Sequence, residues 1–255
     1  MKTAQIAVQC YTLREHLRTP EAFAVSMRRV REIGYRAVQI SGVGPIPARD
    51  IRRMTDAEGL TVCATHEPAL DILERPDAVV ERLGTLGCTL TAYPMPHSAL
   101  NSRADVELLA AGLNRAGAVL KAAGMVLAYH NHDLEFRKVD GQTLLDLLFQ
   151  STDPALVQAE LDTYWVQAGG ADPVRWCEKM SGRLPLIHLK DYAVREERGA
   201  RMAALGEGNL DFQRIVSAAE RSGCRWFIVE QDQDFDDAFV AIERSYRFLS
   251  EQIAS

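Results

Sequence analysis

Short apolar runs alternate with amphipathic stretches along the whole chain, and this alternation constrains the fold more than any other feature. The runs predicted as strands are residues 4–12, 37–41, 60–66, 88–93, 125–132, 156–163, 184–190 and 225–230. The stretches predicted as helices are residues 20–33, 48–58, 76–86, 102–123, 143–150, 172–180, 210–222 and 235–253. Strands that alternate with helices form a parallel sheet. Eight such units in 255 residues match a closed (β/α)8 TIM barrel, so we predict an α/β fold with a single domain over residues 1–255.

An open doubly wound sheet is the alternative architecture for the same alternation. Such a sheet usually carries a Gly-rich phosphate loop after an early strand. This chain has no such loop, which favours the barrel. The composition, 47% hydrophobic and 25% charged, is that of an ordinary globular protein of ample length for a sizeable core.

The charge and the cysteines narrow the classes of function and location. A net charge of −6 argues against a nucleic-acid partner, which would favour a basic surface. The first residues are typical of a strand rather than a signal peptide, and no apolar stretch is long enough to span a bilayer. The five cysteines are scattered and include no Cys-x-x-Cys pair, which indicates reduced, mostly buried thiols in a cytoplasmic protein. They are Cys10, Cys63, Cys88, Cys177 and Cys224.

Polar side chains collect where the predicted strands end, which is where a TIM barrel carries its active site. Five of the six histidines lie at these ends, and the exception is His16 in the first loop. The richest segment is residues 129–136, Tyr-His-Asn-His-Asp-Leu-Glu-Phe, which follows the apolar residues 125–128. Burying such groups without partners is costly, so we expect them to bind something.

Strand alternation selects the side chains that point into the barrel together. Residues two apart share a strand face, and three such pairs are His130 with His132, Glu160 with Asp162, and His188 with Lys190. Asp162, His188 and Glu230 lie on three successive predicted strands, so their side chains can converge. Imidazole and carboxylate together suit a divalent ion such as Mn²⁺, Mg²⁺, Co²⁺ or Zn²⁺, and repulsion between buried carboxylates calls for a cation.

Each of these residues also has a purely structural explanation. Asp162 precedes Thr163 and could cap a helix, Glu230 could form an internal ion pair, and Trp165 could be core or an apolar wall for a sugar. For Lys190 we favour substrate contact over a surface position. Three arginines in one loop could bind an anionic substrate or could simply belong to a solvated charged loop. They are Arg195, Arg198 and Arg201.

Six segments resemble the sugar phosphate isomerase/epimerase family, which is the xylose-isomerase-like TIM-barrel superfamily. They are residues 129–136, Glu160-Leu161-Asp162-Thr163-Tyr164-Trp165, Ala168-Gly169-Gly170-Ala171-Asp172-Pro173, His188-Leu189-Lys190-Asp191, Gly206-Glu207-Gly208 and Val229-Glu230-Gln231-Asp232. The resemblance implies one divalent ion held by Glu, Asp, His and Glu on strands five to eight. Asp162, His188 and Glu230 match the last three positions. At the first position His130 replaces the usual Glu, and Glu135, His132 or Glu160 are alternatives for the missing donor.

The resemblance also implies a reaction and roles. It implies a metal-dependent isomerase or epimerase that acts on a sugar, keto-sugar or cyclitol through an enediolate-type intermediate. Glu230 would be both ligand and base, with His132 and Lys190 as acid or enolate stabiliser. The substrate contacts would come from Tyr11, His66, Glu135, Glu160, Trp165 and Lys190. A lyase of the same superfamily, either a keto-inositol-type dehydratase or a β-eliminase on oxidised sugars, is the alternative.

Two further classes are less consistent with the sequence. A metal-dependent endonuclease on the same barrel would need a DNA-binding surface, and the acidic charge balance argues against it. A barrel that binds sugars without catalysis, or a subunit that is active only with a partner, is disfavoured by the intact Asp162, His188 and Glu230 set. We therefore expect a small carbohydrate as partner, with no nucleic acid and no membrane, and with a homo-oligomer left open as the assembly.

Overall fold

Eight parallel strands close into a barrel in the computed structural model, which describes residues 1–195, 197 and 199–254. The barrel strands are β1 (Ile6–Gln9), β2 (Ala37–Ile40), β3 (Thr61–His66), β4 (Leu90–Tyr93), β5 (Val126–His130), β8 (Val157–Asp162), β9 (Leu186–Leu189) and β12 (Trp226–Val229). Their order around the barrel is β1-β2-β3-β4-β5-β8-β9-β12, and β12 pairs with β1. Two short antiparallel hairpins lie outside the barrel: β6 (Lys138–Val139) with β7 (Gln142–Thr143), and β10 (Asp191–Val194) with β11 (Ala200–Ala203).

Helices connect the barrel strands and cover the outside of the barrel. Those in the described part of the chain are α1 (Pro20–Ile33), α2 (Ala48–Ala57), α3 (Ala69–Glu74), α4 (Pro76–Leu86), α5 (Arg103–Ala122), α6 (Leu144–Ser151), α7 (Thr163–Ala168), α8 (Pro173–Lys179), α9 (Phe212–Arg221) and α10 (Ala238–Phe248). Three 3-10 segments, Thr3–Gln5, Cys10–His16 and Leu134–Phe136, and a π-helical turn at Leu249–Ile253 complete the elements. Among the described residues, no helix combines the length and apolar character that a membrane crossing requires.

The predicted TIM barrel is confirmed, and helices with clear end signals have the predicted bounds. Helix α1 begins at Pro20, where the Thr19 hydroxyl accepts a hydrogen bond from the amide of Ala22. It ends before Gly34, whose φ is 129°. A Cβ there would lie 2.4 Å from a ring carbon of Tyr246, so the close approach of α10 also requires glycine.

The prediction of a strand over residues 4–12 was wrong in its extent. Only Ile6–Gln9 forms β1, because these are the residues that pair with β2 and β12. The chain then turns into a 3-10 segment at Cys10–His16, which buries Leu13. Helices α3 and α7 and both hairpins were not predicted, because short elements carry little periodic signal.

A polar layer crosses the barrel interior beneath the strand ends. Gln9 Nε2 donates to Gln39 Oε1 over 3.0 Å, and Gln39 Nε2 donates to Glu160 Oε1 over 2.7 Å. The hydroxyl of Thr65 donates to that of Thr91 over 2.9 Å. Buried polar groups need such partners, so this layer supports the residues above it. The predicted burial of the cysteines is also confirmed, because all five are buried with free thiols within the described residues.

Candidate active site

The four residues predicted to hold a metal ion come together at one end of the barrel. One ligand atom from each of His130, Asp162, His188 and Glu230 lies within 4.8 Å of the others, and all four side chains are buried. We call these four residues the donor set. His130 ends β5, Asp162 ends β8, His188 lies in β9, and Glu230 follows β12. Because β5, β8, β9 and β12 are consecutive neighbours in the closed sheet, their carboxyl ends present these side chains together.

A second group of candidate ligands, which we call the second donor set, shares His130 and His188 with the donor set and includes Glu160. It consists of His66, His130, Glu160 and His188. Glu160 Oε2 lies 2.5 Å from His66 Nε2 and 3.3 Å from His130 Nδ1. Glu160 Oε1 lies 3.3 Å from His188 Nε2. The sequence predicted Glu160 both as a substrate contact and as an alternative donor at the first metal position, and the structure places it among candidate metal donors.

Burial and neighbouring charges set the protonation of His188 and His130 in opposite directions. Burial alone would lower the pKa of His188, but the carboxylates of Glu160 and Glu230 outweigh it and raise the pKa to about 10. Nδ1 of His188 lies 2.9 Å from Glu230 Oε2, and its Nε2 lies 2.6 Å from Gln39 Oε1. Burial and the neighbouring charge on His188 hold the pKa of His130 well below its ordinary value, so His130 is neutral.

Lys190 supplies a fixed positive charge beside the donor set. Its Nζ lies 2.8 Å from Glu230 Oε2, 2.9 Å from Asp232 Oδ2 and 3.1 Å from Asp162 Oδ2. Burial alone would lower the pKa of Lys190, but these carboxylates outweigh it and raise the pKa well above its ordinary value. The side chain is 1% exposed, so Lys190 is a buried ammonium and not a surface lysine.

The donor set fits a divalent ion on two counts. Nδ1 of His130 and Oδ2 of Asp162 are buried, and neither makes a well-directed hydrogen bond among the described residues, although Glu160 Oε2 lies 3.3 Å from the first and Lys190 Nζ lies 3.1 Å from the second. Both atoms therefore keep bonding capacity that a ligand can use. Negative charge is also in excess, because Lys190 and His188 face four buried or partly buried carboxylates, Glu160, Asp162, Glu230 and Asp232. Imidazole nitrogen and carboxylate oxygen are ligands that divalent transition metals accept.

Asp162 caps a helix, which is one of the two roles that the sequence left open for it. Its Oδ1 accepts a hydrogen bond from the amide of Trp165 over 3.0 Å and so caps α7. Its Oδ2 is on the side of Lys190. The amide of Asp162 in turn donates to Asn131 Oδ1 over 3.1 Å, which ties the ends of β5 and β8 together. The cap uses one oxygen of the carboxylate and leaves the other as a candidate metal donor.

A cavity of about 340 Å³ opens above the donor set. Its lining includes six residues that the sequence predicted as substrate contacts, catalytic residues or, in the case of His130, a metal ligand: Tyr11, His66, His130, His132, Lys190 and Glu230. The other lining residues are Ser41, Pro94, Met95 and Asp232. Tyr11 is 40% exposed at its mouth. Trp165 lies nearby, with its ring centroid 5.4 Å from that of His132 and 5.5 Å from Lys190 Nζ. Its Nε1 is buried with no hydrogen-bond partner in the described part of the chain.

Glu135 takes a different position from the one predicted. Its Oε1 accepts a hydrogen bond from the hydroxyl of Tyr129 over 2.7 Å, and its Oε2 accepts one from the amide of His132 over 2.9 Å. The side chain is fully buried and belongs to neither donor set among the described residues. These two hydrogen bonds hold the turn after β5, and through it Glu135 positions His132.

The sequence prediction missed polar residues of the site, and Gln39 and Asp232 are the two that contact predicted site residues. Gln39 contacts both His188 and Glu160, and its only sequence signal is a glutamine inside the apolar run 37–40. Asp232 lines the cavity and hydrogen bonds to Lys190. Its signal was its position two residues beyond Glu230, which strand alternation would place on the same side.

Asp191 anchors the segment that follows β9. Its carboxylate accepts hydrogen bonds from the amides of Tyr192, Gly206, Gly208 and Leu210. A Cβ at Gly208 would lie 2.4 Å from Asp191 Oδ1, which accounts for glycine in the Gly206-Glu207-Gly208 segment. Nearby, Arg195 pairs with Asp234 over 2.7 Å, Arg201 donates to the carbonyl of Met202, and Arg198 lies outside the described residues.

The match to a known family covers most of the chain. Residues 27–252 match the sequence pattern of the xylose isomerase-like TIM barrel. The chain belongs to this family. The resemblance seen in the six sequence segments is thereby confirmed at the level of the family, and solved structures agree with it. A sugar phosphate isomerase/epimerase from Parabacteroides distasonis is 25% identical, with a TM-score of 0.83 over 96% of this chain and 97% of that one.

Other relatives share the fold or part of the sequence. Another Parabacteroides distasonis sugar phosphate isomerase/epimerase, 23% identical, has the same fold, with a TM-score of 0.86 over 100% of this chain and 96% of that one. Inosose dehydratase from Geobacillus thermodenitrificans is 32% identical over 143 residues, which is 50% of this chain and 47% of the dehydratase. The chain thus spans about half the length of the curated relatives it matches.

Proposed function

We propose that this chain removes a proton from the carbon next to the carbonyl of an uncharged keto-sugar or keto-cyclitol and returns it elsewhere. The product would be an isomer or epimer of the substrate. The observation that carries the proposal is the buried set of His130, Asp162, His188 and Glu230 beneath a cavity lined by Lys190. These four residues would hold the divalent ion, which when bound supplies Lewis-acid polarisation of the substrate carbonyl.

Glu230 is the proposed base. Burial alone would raise its pKa, but the charges of Lys190 and His188 hold the pKa of Glu230 well below its ordinary value. The carboxylate is therefore ionised at neutral pH and can accept the proton. It lines the cavity, which places it within reach of a bound substrate.

Lys190 and His132 would act on the substrate oxygens. The ammonium of Lys190 stays protonated and would stabilise the negative charge that develops on the enolate oxygen. Burial and the charge of Lys190 lower the pKa of His132 to about 4, so its imidazole is neutral at pH 7. His132 would therefore accept a proton or donate its N–H in a hydrogen bond, and would not act as an imidazolium acid.

The charges of the cavity favour an uncharged substrate. Its lining includes the carboxylates of Glu230 and Asp232 and the ammonium of Lys190, which those carboxylates already contact. No arginine lines the cavity within the described residues. A phosphate dianion would meet like charge there. The unpartnered Nε1 of Trp165 and Nδ1 of His132 suit hydroxyl groups instead.

Deuterium exchange tests the proposal directly. The protein with Mn²⁺ is incubated in deuterated water with a ketohexose or a keto-inositol, and the recovered sugar is examined by mass spectrometry. Deuterium on the carbon next to the carbonyl is expected without loss of water. Glu230→Gln should lower the exchange rate about 100-fold or more, since it removes the proposed base and one donor to the ion. The exposed Glu107→Gln on α5 is the matched control and should exchange as the wild type does. Absence of exchange with every sugar of the panel by folded, metal-loaded protein would count against the proposal.

Dehydration of a keto-cyclitol is the second candidate. It is favoured by the similarity, over half of this chain, to proteins named inosose dehydratase. The same proton removal would then be followed by departure of the hydroxyl on the adjacent carbon. The same incubation separates the two reactions, because dehydration gives a product lighter by one water and an absorbance in the near ultraviolet from the conjugated carbonyl.

A further inference from the structure

Lys190 contacts more carboxylates than a single positive charge can neutralise. Its Nζ lies within 3.1 Å of an oxygen of Asp162, Glu230 and Asp232. With the side chain 1% exposed, solvent contributes little to the solvation of this ammonium. The three carboxylates therefore compete for one cation inside the protein.

The three carboxylates differ in their relation to the donor set. Asp162 and Glu230 belong to it, whereas Asp232 belongs to neither donor set among the residues that the structure describes. Asp232 accepts a well-directed hydrogen bond from Nζ of Lys190 over 2.9 Å. Its side chain is 24% exposed, while those of Asp162 and Glu230 are 0% and 6% exposed. Asp232 is thus the outermost of the three partners.

A divalent ion in the donor set and the Lys190 ammonium would both bind the carboxylates of Asp162 and Glu230. Like charges only a few ångströms apart repel strongly in a buried site. Among the described residues, Asp232 is the one carboxylate partner of Lys190 that the ion would not share, because Asp232 lies beside the donor set without belonging to it. In the arrangement observed here the ammonium also lies 5.5 Å from the ring centroid of Trp165 and lines the cavity.

We propose that Lys190 is a resident counter-ion of Asp162 and Glu230 that competes with a divalent ion and stays with Asp232 when the ion binds. Asp232 is then a positioning residue that sets the affinity of the donor set for the ion. This inference rests on the metal site of the proposed function. It adds Lys190 as a cation that competes with the ion and Asp232 as the carboxylate that keeps Lys190 when the ion binds.

Titration with Co²⁺ of four proteins tests the competition. The proteins are the wild type, Lys190→Gln, Asp232→Asn and the double variant, and the readout is the visible absorption of bound Co²⁺. Lys190→Gln is expected to bind Co²⁺ about tenfold more tightly, since the competitor is gone. Asp232→Asn is expected to bind about tenfold more weakly, since the ammonium loses its alternative partner. In the Lys190→Gln background the Asp232→Asn change should alter the affinity less than about twofold.

The control separates this coupling from the general effect of removing an acid. Asp133→Asn removes one carboxylate from an exposed position in the turn after β5. The loss caused by Asp232→Asn should exceed that of Asp133→Asn in the wild-type background and match it when Lys190 is absent. The comparison of Asp232→Asn with Asp133→Asn alone tests the proposal if the Lys190→Gln chain does not fold.

The outcomes distinguish a failure of this inference from a failure of the proposed function. Equal effects of Asp232→Asn with and without Lys190, or a Lys190→Gln variant that binds Co²⁺ no more tightly than the wild type, would overturn the inference alone. If Asp232→Asn costs no more affinity than Asp133→Asn, the positioning role is likewise excluded. If none of the proteins binds Co²⁺, the metal site falls and this inference falls with it.

Discussion

Glu160 has the surroundings that most affect the charge of the site. Its carboxylate lies within 3.3 Å of nitrogens of His66, His130 and His188 and accepts a hydrogen bond from Gln39. Burial alone would raise the pKa of Glu160, but the charge of His188 and the hydrogen bonds from the neighbouring imidazoles outweigh it and hold the pKa well below its ordinary value. Glu160 is therefore ionised, and it keeps His188 protonated in return.

The raised pKa of His188 predicts how the stability of the metal-free protein depends on pH. An unfolded histidine titrates near pH 6.5, whereas folded His188 has a pKa of about 10. Because the folded pKa is the higher one, the stabilisation is fully present below about pH 6.5 and is lost as the pH rises toward 10. Between pH 7 and pH 10 we expect the free energy of unfolding to fall by about 2 to 4 kcal/mol. Urea unfolding in the presence of a chelator measures it.

Glu160→Gln is the variant that checks the cause of this dependence. Without the carboxylate the pKa of His188 should fall toward its ordinary value, and the loss of stability between pH 7 and pH 10 should become smaller. Glu107→Gln, which removes an exposed carboxylate on α5, should show the wild-type slope. Equal slopes for the wild type and Glu160→Gln would contradict the assignment.

At the scale of elements, α5 lies close against the start of β8. A Cβ at Gly117 would come within 2.5 Å of the carbonyl oxygen of Leu156, the residue that precedes β8. Gly84 in α4 is the opposite case, because a Cβ there would meet no atom within 4 Å among the described residues. Both glycines lie inside helices, so they share the same intrinsic cost to helix formation.

The two glycines predict opposite effects of the same substitution. Gly117→Ala should lower the free energy of unfolding by about 1 to 3 kcal/mol, because the helix must move away from the barrel. Gly84→Ala should raise it by about 0.5 to 1 kcal/mol, because alanine favours the helix and restricts the unfolded chain. Thermal unfolding followed by circular dichroism measures both. Stabilisation by Gly117→Ala would show that the packing against Leu156 can relax.

At the scale of the whole molecule, four strands from the second half of the barrel supply the donor set, and binding should couple to global stability. A ligand that binds only the folded state at 100 times its Kd raises the free energy of unfolding by about 2.7 kcal/mol. Zn²⁺ and Co²⁺ should raise the melting temperature more than Mg²⁺ does, because two of the four donors are imidazoles. Scanning calorimetry with each ion after chelator treatment makes the comparison.

Two histidine variants make this test specific. His188→Gln should abolish the rise in melting temperature, since it removes a donor. His16→Gln removes an exposed imidazole outside the donor set and should respond to each ion as the wild type does. A rise with Zn²⁺ that persists in His188→Gln would place the ion elsewhere.

Local patterns predicted the features that have a local chemical cause. Thr19 and Gly34 mark the ends of α1, and the alternation of strands and helices indicated the barrel. The grouping of His188 and Asp162 followed from their positions at the ends of neighbouring strands. The direction of Glu135 was not predictable, because its bond to Tyr129 exists only once the chain after β5 has turned back.

Contacts across the barrel were the other features that could not be predicted from the sequence. The three carboxylates around Lys190 belong to β8 and to the segment after β12, and their separation depends on how the strands tilt and close. No spacing in the sequence encodes those distances. For the same reason Gln39 was passed over, because its partners Glu160 and His188 are more than 100 residues away.

The two oxygens of Asp162 have a consequence for how the site can be observed. One oxygen holds the amide of Trp165, and the other lies beside Lys190 in the donor set. Any ligand that rotates this carboxylate also disturbs the first turn of α7 and the indole that it carries. We therefore expect the fluorescence of Trp165, one of three tryptophans in the chain, to change when the site is occupied, without any added label.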